Sequence, residues 1–212
     1  MGIFTIGLVA VVGLTVLLNI LIARGKSKQT DYGAISEDER LANQARRKDI
    51  GPEAFVKPDL TELPFDIQNQ NAEAAEAAEA VKMAAALPMV RFDGDLTNND
   101  LKYMYGVSNL DYITDMEENY RAFIAAMLGW AESLINAGED AGAESVLNET
   151  LRLKSDFSKC YTLLADIYGS RGDTAALTAL NARVGGAEYL SLPGMKRKIA
   201  AHIERYINVN DD

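Results

Sequence analysis

From Ile3 to Ala23 the chain runs 21 residues without a charge, and Arg24, Lys26 and Lys28 follow at once. A helix of that length extends about 30 Å, the thickness of a bilayer's hydrocarbon core. In lipid a stretch so apolar has few alternatives to the helix, which satisfies its own backbone hydrogen bonds. A cleaved signal peptide would need a basic leading segment, a shorter apolar core and small residues at the cleavage point. Only Met1 and Gly2 precede this run, and it ends in Leu21-Ile22-Ala23-Arg24-Gly25. Residues 1–23 are therefore expected to be a retained transmembrane anchor.

Basic residues beside a span favour the cytoplasmic side. The expected topology is N-terminus out and C-terminal domain cytoplasmic. A bacterial inner membrane is the expected setting, and an organelle outer membrane would allow the same arrangement. The net charge of -10 argues against general binding to nucleic-acid phosphates or anionic headgroups. Cys160 is the single cysteine, so no intramolecular disulfide forms, which fits a reducing compartment.

Three regions follow the anchor. Residues 24–69, with Pro52, Pro58, Pro64 and many charges, read as a polar tether. If flexible it would reach about 40 Å. Ser36 followed by Glu39 suggests a capping box and a short helix around Glu37–Lys48. The apolar islands Ala54-Phe55-Val56-Lys57-Pro58-Asp59-Leu60 and Leu63-Pro64-Phe65 are expected to pack back on the folded domain rather than serve as docking peptides. Residues 70–87 form an Ala/Glu-rich helix with Glu73, Glu76 and Glu79 on one side, ended by Pro88. A solvated spacer and a closely docked helix are equally compatible with it.

The region 91–212 is the folded unit. Thr97 with Asp100 reads as an N-cap and first turn. A long helix is predicted over 114–137, and shorter ones over 140–153, 156–170, 174–184 and 193–208. Gly138, Gly172 and the pair Gly185-Gly186 punctuate them, and Pro193 suits a first turn. No segment alternates long enough to argue for a sheet. The expected fold class is all-α: an N-terminal transmembrane helix, a tether, and a helical-hairpin domain with a C-terminal capping helix. That last helix carries Met195, Ile199, Ile203, Tyr206 and Ile207 on one apolar face.

Shifted by 34 residues, the helical region matches itself. Trp130 falls on Leu164, Ala131 on Ala165, Leu134 on Tyr168, Gly138 on Gly172, and Met127 on Tyr161. A small residue lets two helices approach, large ones fill the space around it, and glycine ends the first helix in a left-handed turn. This pattern of large, small, large and then glycine resembles the tetratricopeptide repeat family. The second helices fit less closely: Ala143 and Leu147 fall on Leu177 and Asn181, and Ser155 stands where the family usually has proline. Two repeats span roughly 123–184, so flanking helices must complete the core.

Chemistry-bearing residues are sparse. His202 is the single histidine and is read as a rim residue; Cys160 is read as packing. One His and one Cys make no ordinary zinc site, and there is no HExxH, CxxC, GxSxG or phosphate-binding glycine loop. The run Asp93-Gly94-Asp95-Leu96-Thr97-Asn98-Asn99-Asp100 departs from a calcium loop at Asn98, where glycine belongs, and at Met104, where a bidentate Glu belongs. Lys196-Arg197-Lys198 and Arg46-Arg47-Lys48 read as solvated. No catalytic, cofactor-binding or metal-ligating residue is expected.

The expected function is a non-catalytic, membrane-anchored protein–protein interaction adaptor or assembly factor. The resemblance implies a protein or peptide partner on the face built by the first helices, with Asn119, Tyr120, Lys159 and Thr162 as candidate contacts. Two alternatives stay open: an accessory structural subunit of a large membrane protein complex, and an outward-facing envelope or secretion factor.

Overall fold

The computed structural model describes residues 32–66, 71–94 and 96–209. Among them are eight α-helices: α1 Tyr32–Ala42, α2 Ala72–Ala85, α3 Asn98–Tyr105, α4 Leu110–Asn136, α5 Asp140–Arg152, α6 Ser158–Ser170, α7 Thr174–Gly186 and α8 Met195–Val209. The only extended pairing among the described residues is one antiparallel bridge, Phe55 with Val90. The described chain is all-helical, as its patterning predicts. The expected anchor lies outside these residues, and within them no helix is long and apolar enough to cross a membrane.

Four helices form two hairpins, α4 with α5 and α6 with α7. Gly138 and Gly172 close the first helix of each with φ of +80° and +67°. In both, the next residue donates back to the helix: Glu139 N to Leu134 O and Asp173 N to Tyr168 O, each 2.9 Å. This is the Schellman closure, in which a left-handed residue turns the chain and a carbonyl at the helix end gains a donor. Ala131 and Ala165 are fully buried at equivalent places, with Met127, Trp130, Leu134, Tyr161 and Leu164 packed around them.

The end of α5 uses the same closure without glycine. Lys154 takes φ 60° and Ser155 N donates to Thr150 O at 3.0 Å. Ser155 is fully buried, and its Oγ accepts from Phe157 N at 3.2 Å. A serine turn thus launches α6 where the resembled family has proline. α7 keeps the 34-residue register: its buried Leu177, Leu180 and Val184 stand opposite the buried Ala143, Val146 and Thr150 of α5, and only Asn181, half-buried where Leu147 is fully buried, breaks the match.

Each hairpin has an apolar face that something must cover. On the second, α8 packs against α6 and α7 and buries Ile199 and Ile203. Met195, Tyr206 and Ile207 complete its stripe as partly buried neighbours. Gly169 matters here, because a Cβ at that position would fall inside the Tyr206 ring.

On the first hairpin the cover comes from the segment expected to be a tether. Val56, Leu60, Leu63 and Phe65 pack on the main core, and Phe65 stacks on the buried Trp130 with ring centroids 4.6 Å apart. Lys82 Nζ sits over the outer side of Phe65, 4.8 Å from its centroid. Glu149 and Arg152 on α5 clamp the strap's backbone. Asp59 N donates to Glu149 Oε1 at 2.8 Å, and Arg152 donates to Lys57 O at 3.0 Å while pairing with Glu149. α2 docks beside the strap on α4 through Ala74, Ala78 and Val81, so the docked form is the one adopted.

A second, smaller core gathers Ala54, Val90, Leu101, Ile113 and Met116 under α3 and the start of α4. Here two sequence expectations shift. The helix predicted over 37–48 runs instead from Tyr32 to Ala42, with Ser36 inside it rather than capping it. Beyond it the backbone is used elsewhere: Lys48 N donates to Tyr105 O at 3.0 Å, and Asn109 Nδ2 donates to Lys48 O at 2.7 Å. α4 begins at Leu110 rather than 114, because the 3-10 turn Val107–Asn109 runs straight into it. The expected cap at Thr97 is present, with Thr97 and Asp100 bonding reciprocally.

Two glycines separate close packing from open helix. Gly169→Ala drives a methyl into Tyr206 and is expected to cost about 1–3 kcal/mol. Gly185→Ala meets nothing within 4 Å and is expected to gain up to about 1 kcal/mol. Denaturant melts of the two variants check this. Glu149→Ala leaves the Asp59 amide and Arg152 without their acceptor and is expected to cost about 1–3 kcal/mol. Hydrogen exchange should then show faster opening at Asp59 than at Ala143.

Candidate partner-binding surface

Three hollows with different chemistry lie along α4, α6, α8 and the loops beside them. The first is a cavity of about 270 Å³ where the loops before α3, α6 and α8 meet the N-terminal half of α4. Its polar lining includes Arg91, Glu117, Tyr120, Arg121, Glu188 and Tyr189. Arg91 is the centrepiece. Its guanidinium lies 5.1 Å from the Tyr189 ring centroid and pairs with Asp93 at 2.5 Å. Asp93 also accepts from Lys154 Nζ at 2.7 Å, joining the loop before α3 to the end of α5.

The tyrosines around it are pinned. Tyr120 OH donates to Leu153 O at 2.9 Å. Tyr161 OH lies 3.0 Å from both Ser155 O and Tyr189 OH. Burial pushes the Tyr120 and Tyr161 hydroxyls well above the usual phenol range, so both act as neutral hydrogen-bond donors. Burial also raises the Glu117 carboxyl, opposed by the Arg121 charge. This hollow is largely occupied with holding its own loops together.

The other two hollows flank α6. Between α2, α4 and α6 lies a groove lined by Glu73, Glu76, Ala80, Glu132, Lys159 and Leu163. Lys159 pairs with Glu132 across the helices, which leaves Glu73 and Glu76 in excess. Between α6 and α8 lies a cavity of about 300 Å³ with the opposite character. Lys198, His202 and Arg205 line it from α8, Thr162 from α6, and Leu192 and Met195 give it an apolar edge. Asp166 stands at its rim, with His202 Nε2 2.6 Å from its Oδ1 and the Tyr206 hydroxyl donating to the same oxygen at 2.9 Å.

The sequence-predicted contacts do not converge. Tyr120 borders the first cavity with its hydroxyl already bonded. Asn119 secures the end of α2 instead, donating to Pro88 O at 3.0 Å. Lys159 faces the acidic groove and Thr162 the basic one, one on each side of α6. His202 is a rim residue, as expected. Cys160 is fully buried, and its thiol is pushed up by burial, away from thiolate reactivity. Among the described residues no group of three or more His, Cys, Asp or Glu side chains is placed to hold a metal ion.

Sequence reasoning missed the stripe of Lys198, His202 and Arg205, although its spacing of four and then three places it on one helical face. The signal was obscured by the adjacent Lys196 and Arg197. Lys196 in fact turns back to cap α7, donating to Gly185 O at 3.3 Å. Arg91 and Tyr189 could not have been paired from sequence, since nearly a hundred residues separate them.

No family model, curated protein or solved structure matches this chain.

Asp93 yields a pH prediction. Hydrogen bonds from Lys154 and Arg91 hold its carboxyl below the usual range, so its contribution to stability is present above the unfolded value of about 4. It is lost as pH falls through the depressed folded value. Asp93→Asn is expected to lower the urea midpoint at pH 7 and to make little difference at pH 2. Melts of both proteins at the two pH values check this.

Proposed function

We propose that this chain is a non-catalytic, membrane-anchored adaptor or assembly factor that presents a tetratricopeptide-like domain to a partner protein. The observation that carries this reading is the repeated hairpin. Two helices 34 residues apart end in the same Schellman closure, each with a fully buried alanine, Ala131 or Ala165, at the equivalent position. The flanking elements cover the outer faces of the pair and leave the surface of α4, α6 and α8 grooved and accessible. Such a surface, rigid and polar at its edges, suits recognition of an extended partner segment.

The anchor belongs to the reading through residues 3–23, which are uncharged and followed by Arg24, Lys26 and Lys28. That flank favours a cytoplasmic domain. The single-pass reading predicts that a C-terminal tag stays with the membrane fraction after carbonate extraction. It further predicts protection of the tag from protease in intact cells, with cleavage only after permeabilisation. Cleavage in intact cells would overturn the orientation, and release by carbonate would overturn the anchor. Failure to recover any stable complex from gentle detergent extracts would count against the adaptor role.

A further inference from the structure

The two grooves beside α6 carry opposite charge, and that arrangement specifies a ligand. We infer that the α4–α6–α8 face binds an extended, mixed-charge segment of a partner protein. Its acidic residues lie over Lys198 and Arg205, and its basic residues over Glu73 and Glu76. This inference rests on the protein-binding reading above and adds the chemistry of the partner.

The basic groove is the better defined half. Lys198, His202 and Arg205 project from one side of α8, and no carboxylate lines the hollow they face. The Asp166 carboxylate beside it is committed to His202 and Tyr206. From Lys198 to Arg205 the helix rises about 10 Å, which an extended peptide covers in about three residues. Two carboxylates about three residues apart would therefore meet both ends of the stripe. Leu192, 62% exposed, with Met195 at the same edge, offers an apolar contact for a neighbouring side chain.

Across α6 the sign reverses. The Glu132–Lys159 pair is internally balanced, so Glu73 and Glu76 set the charge of the second groove. Leu163 and Thr162 stand on the ridge between the two hollows. A segment crossing that ridge experiences attraction at each end only when its own charges are ordered to match. The reversed segment is repelled at both, and this fixes direction as well as affinity.

An anionic bilayer fits the same cations less well. It would need a flat basic surface, whereas Lys196 is turned back onto α7 and the acidic groove shares the face. Headgroups attracted to α8 would be repelled from α2.

The test places a photo-reactive residue at Leu192, at Ala80 and, as a control that lines neither groove, at the exposed Thr178 of α7, in the full-length protein in its native cells. Crosslinked peptides are read by mass spectrometry. The expected result is one partner protein, reached through an acidic stretch from position 192 and a basic stretch from position 80. The Lys198→Glu/Arg205→Glu variant should lower the yield at 192 at least tenfold, and Glu73→Lys/Glu76→Lys should do the same at 80. All four side chains are on the surface, and circular dichroism verifies that the variants keep their helices. Adducts only to lipid, only to a second copy of this chain, or to partner segments without those charges overturn the inference. Protein adducts from position 178 alone would overturn the groove assignment while leaving the adaptor reading standing. No protein adduct from any of the three positions overturns both.

Discussion

A stacked pair of helical hairpins has two open apolar faces, and everything else in this fold follows from covering them. The first hairpin carries Trp130, the largest fully buried side chain among the described residues, which the strap must cover. Phe65 stacks on that indole, Lys82 shields Phe65, and the Glu149–Arg152 pair grips the strap that carries it. The cover is imperfect, since Trp130 Nε1 is buried with no hydrogen-bond partner. Burying so large an apolar surface offsets one unpaired donor, whose cost is about 1–3 kcal/mol.

At the other end a single helix suffices. α8 lies against both helices of the second hairpin, and the absence of a side chain at Gly169 lets the Tyr206 ring reach α6. Its hydroxyl then joins His202 on Asp166. One arrangement thus closes the core and also fixes the orientation of the helix that carries the basic stripe. Adjacent faces of α8 divide the work: Ile199 and Ile203 are buried in the core, while Lys198, His202 and Arg205 border the groove beside them.

The internal pairing of charge explains which side chains remain uncommitted on the surface. Arg91 is held by Asp93 and Tyr189, Lys154 by Asp93, and Lys196 by the end of α7. Those cations stitch loops to helices. What is left on the α4–α6–α8 face is an excess of carboxylate on one side of α6 and of cation on the other.

Most helices were legible in the sequence because local signals mark their ends. Glycine at 138 and 172, Thr97 with Asp100, and Pro88 act through backbone conformation and short-range hydrogen bonds. The 34-residue echo, the stripe on α8 and the burial of Cys160 follow from periodicity alone. Other features depend on contacts between distant residues. The apolar islands within 54–65 were legible as segments that pack back on the domain, but without a period they did not reveal that they would meet Trp130 and α5 across the fold. The ends of α1 and α4 were displaced for the same reason, as Lys48, Tyr105 and Asn109 exchange hydrogen bonds that no local pattern announces. The candidate surface divides likewise. Sequence alone determined which residues share a helical face; tertiary structure decided which faces are covered and which stay open, because burial depends on what packs from elsewhere in the chain.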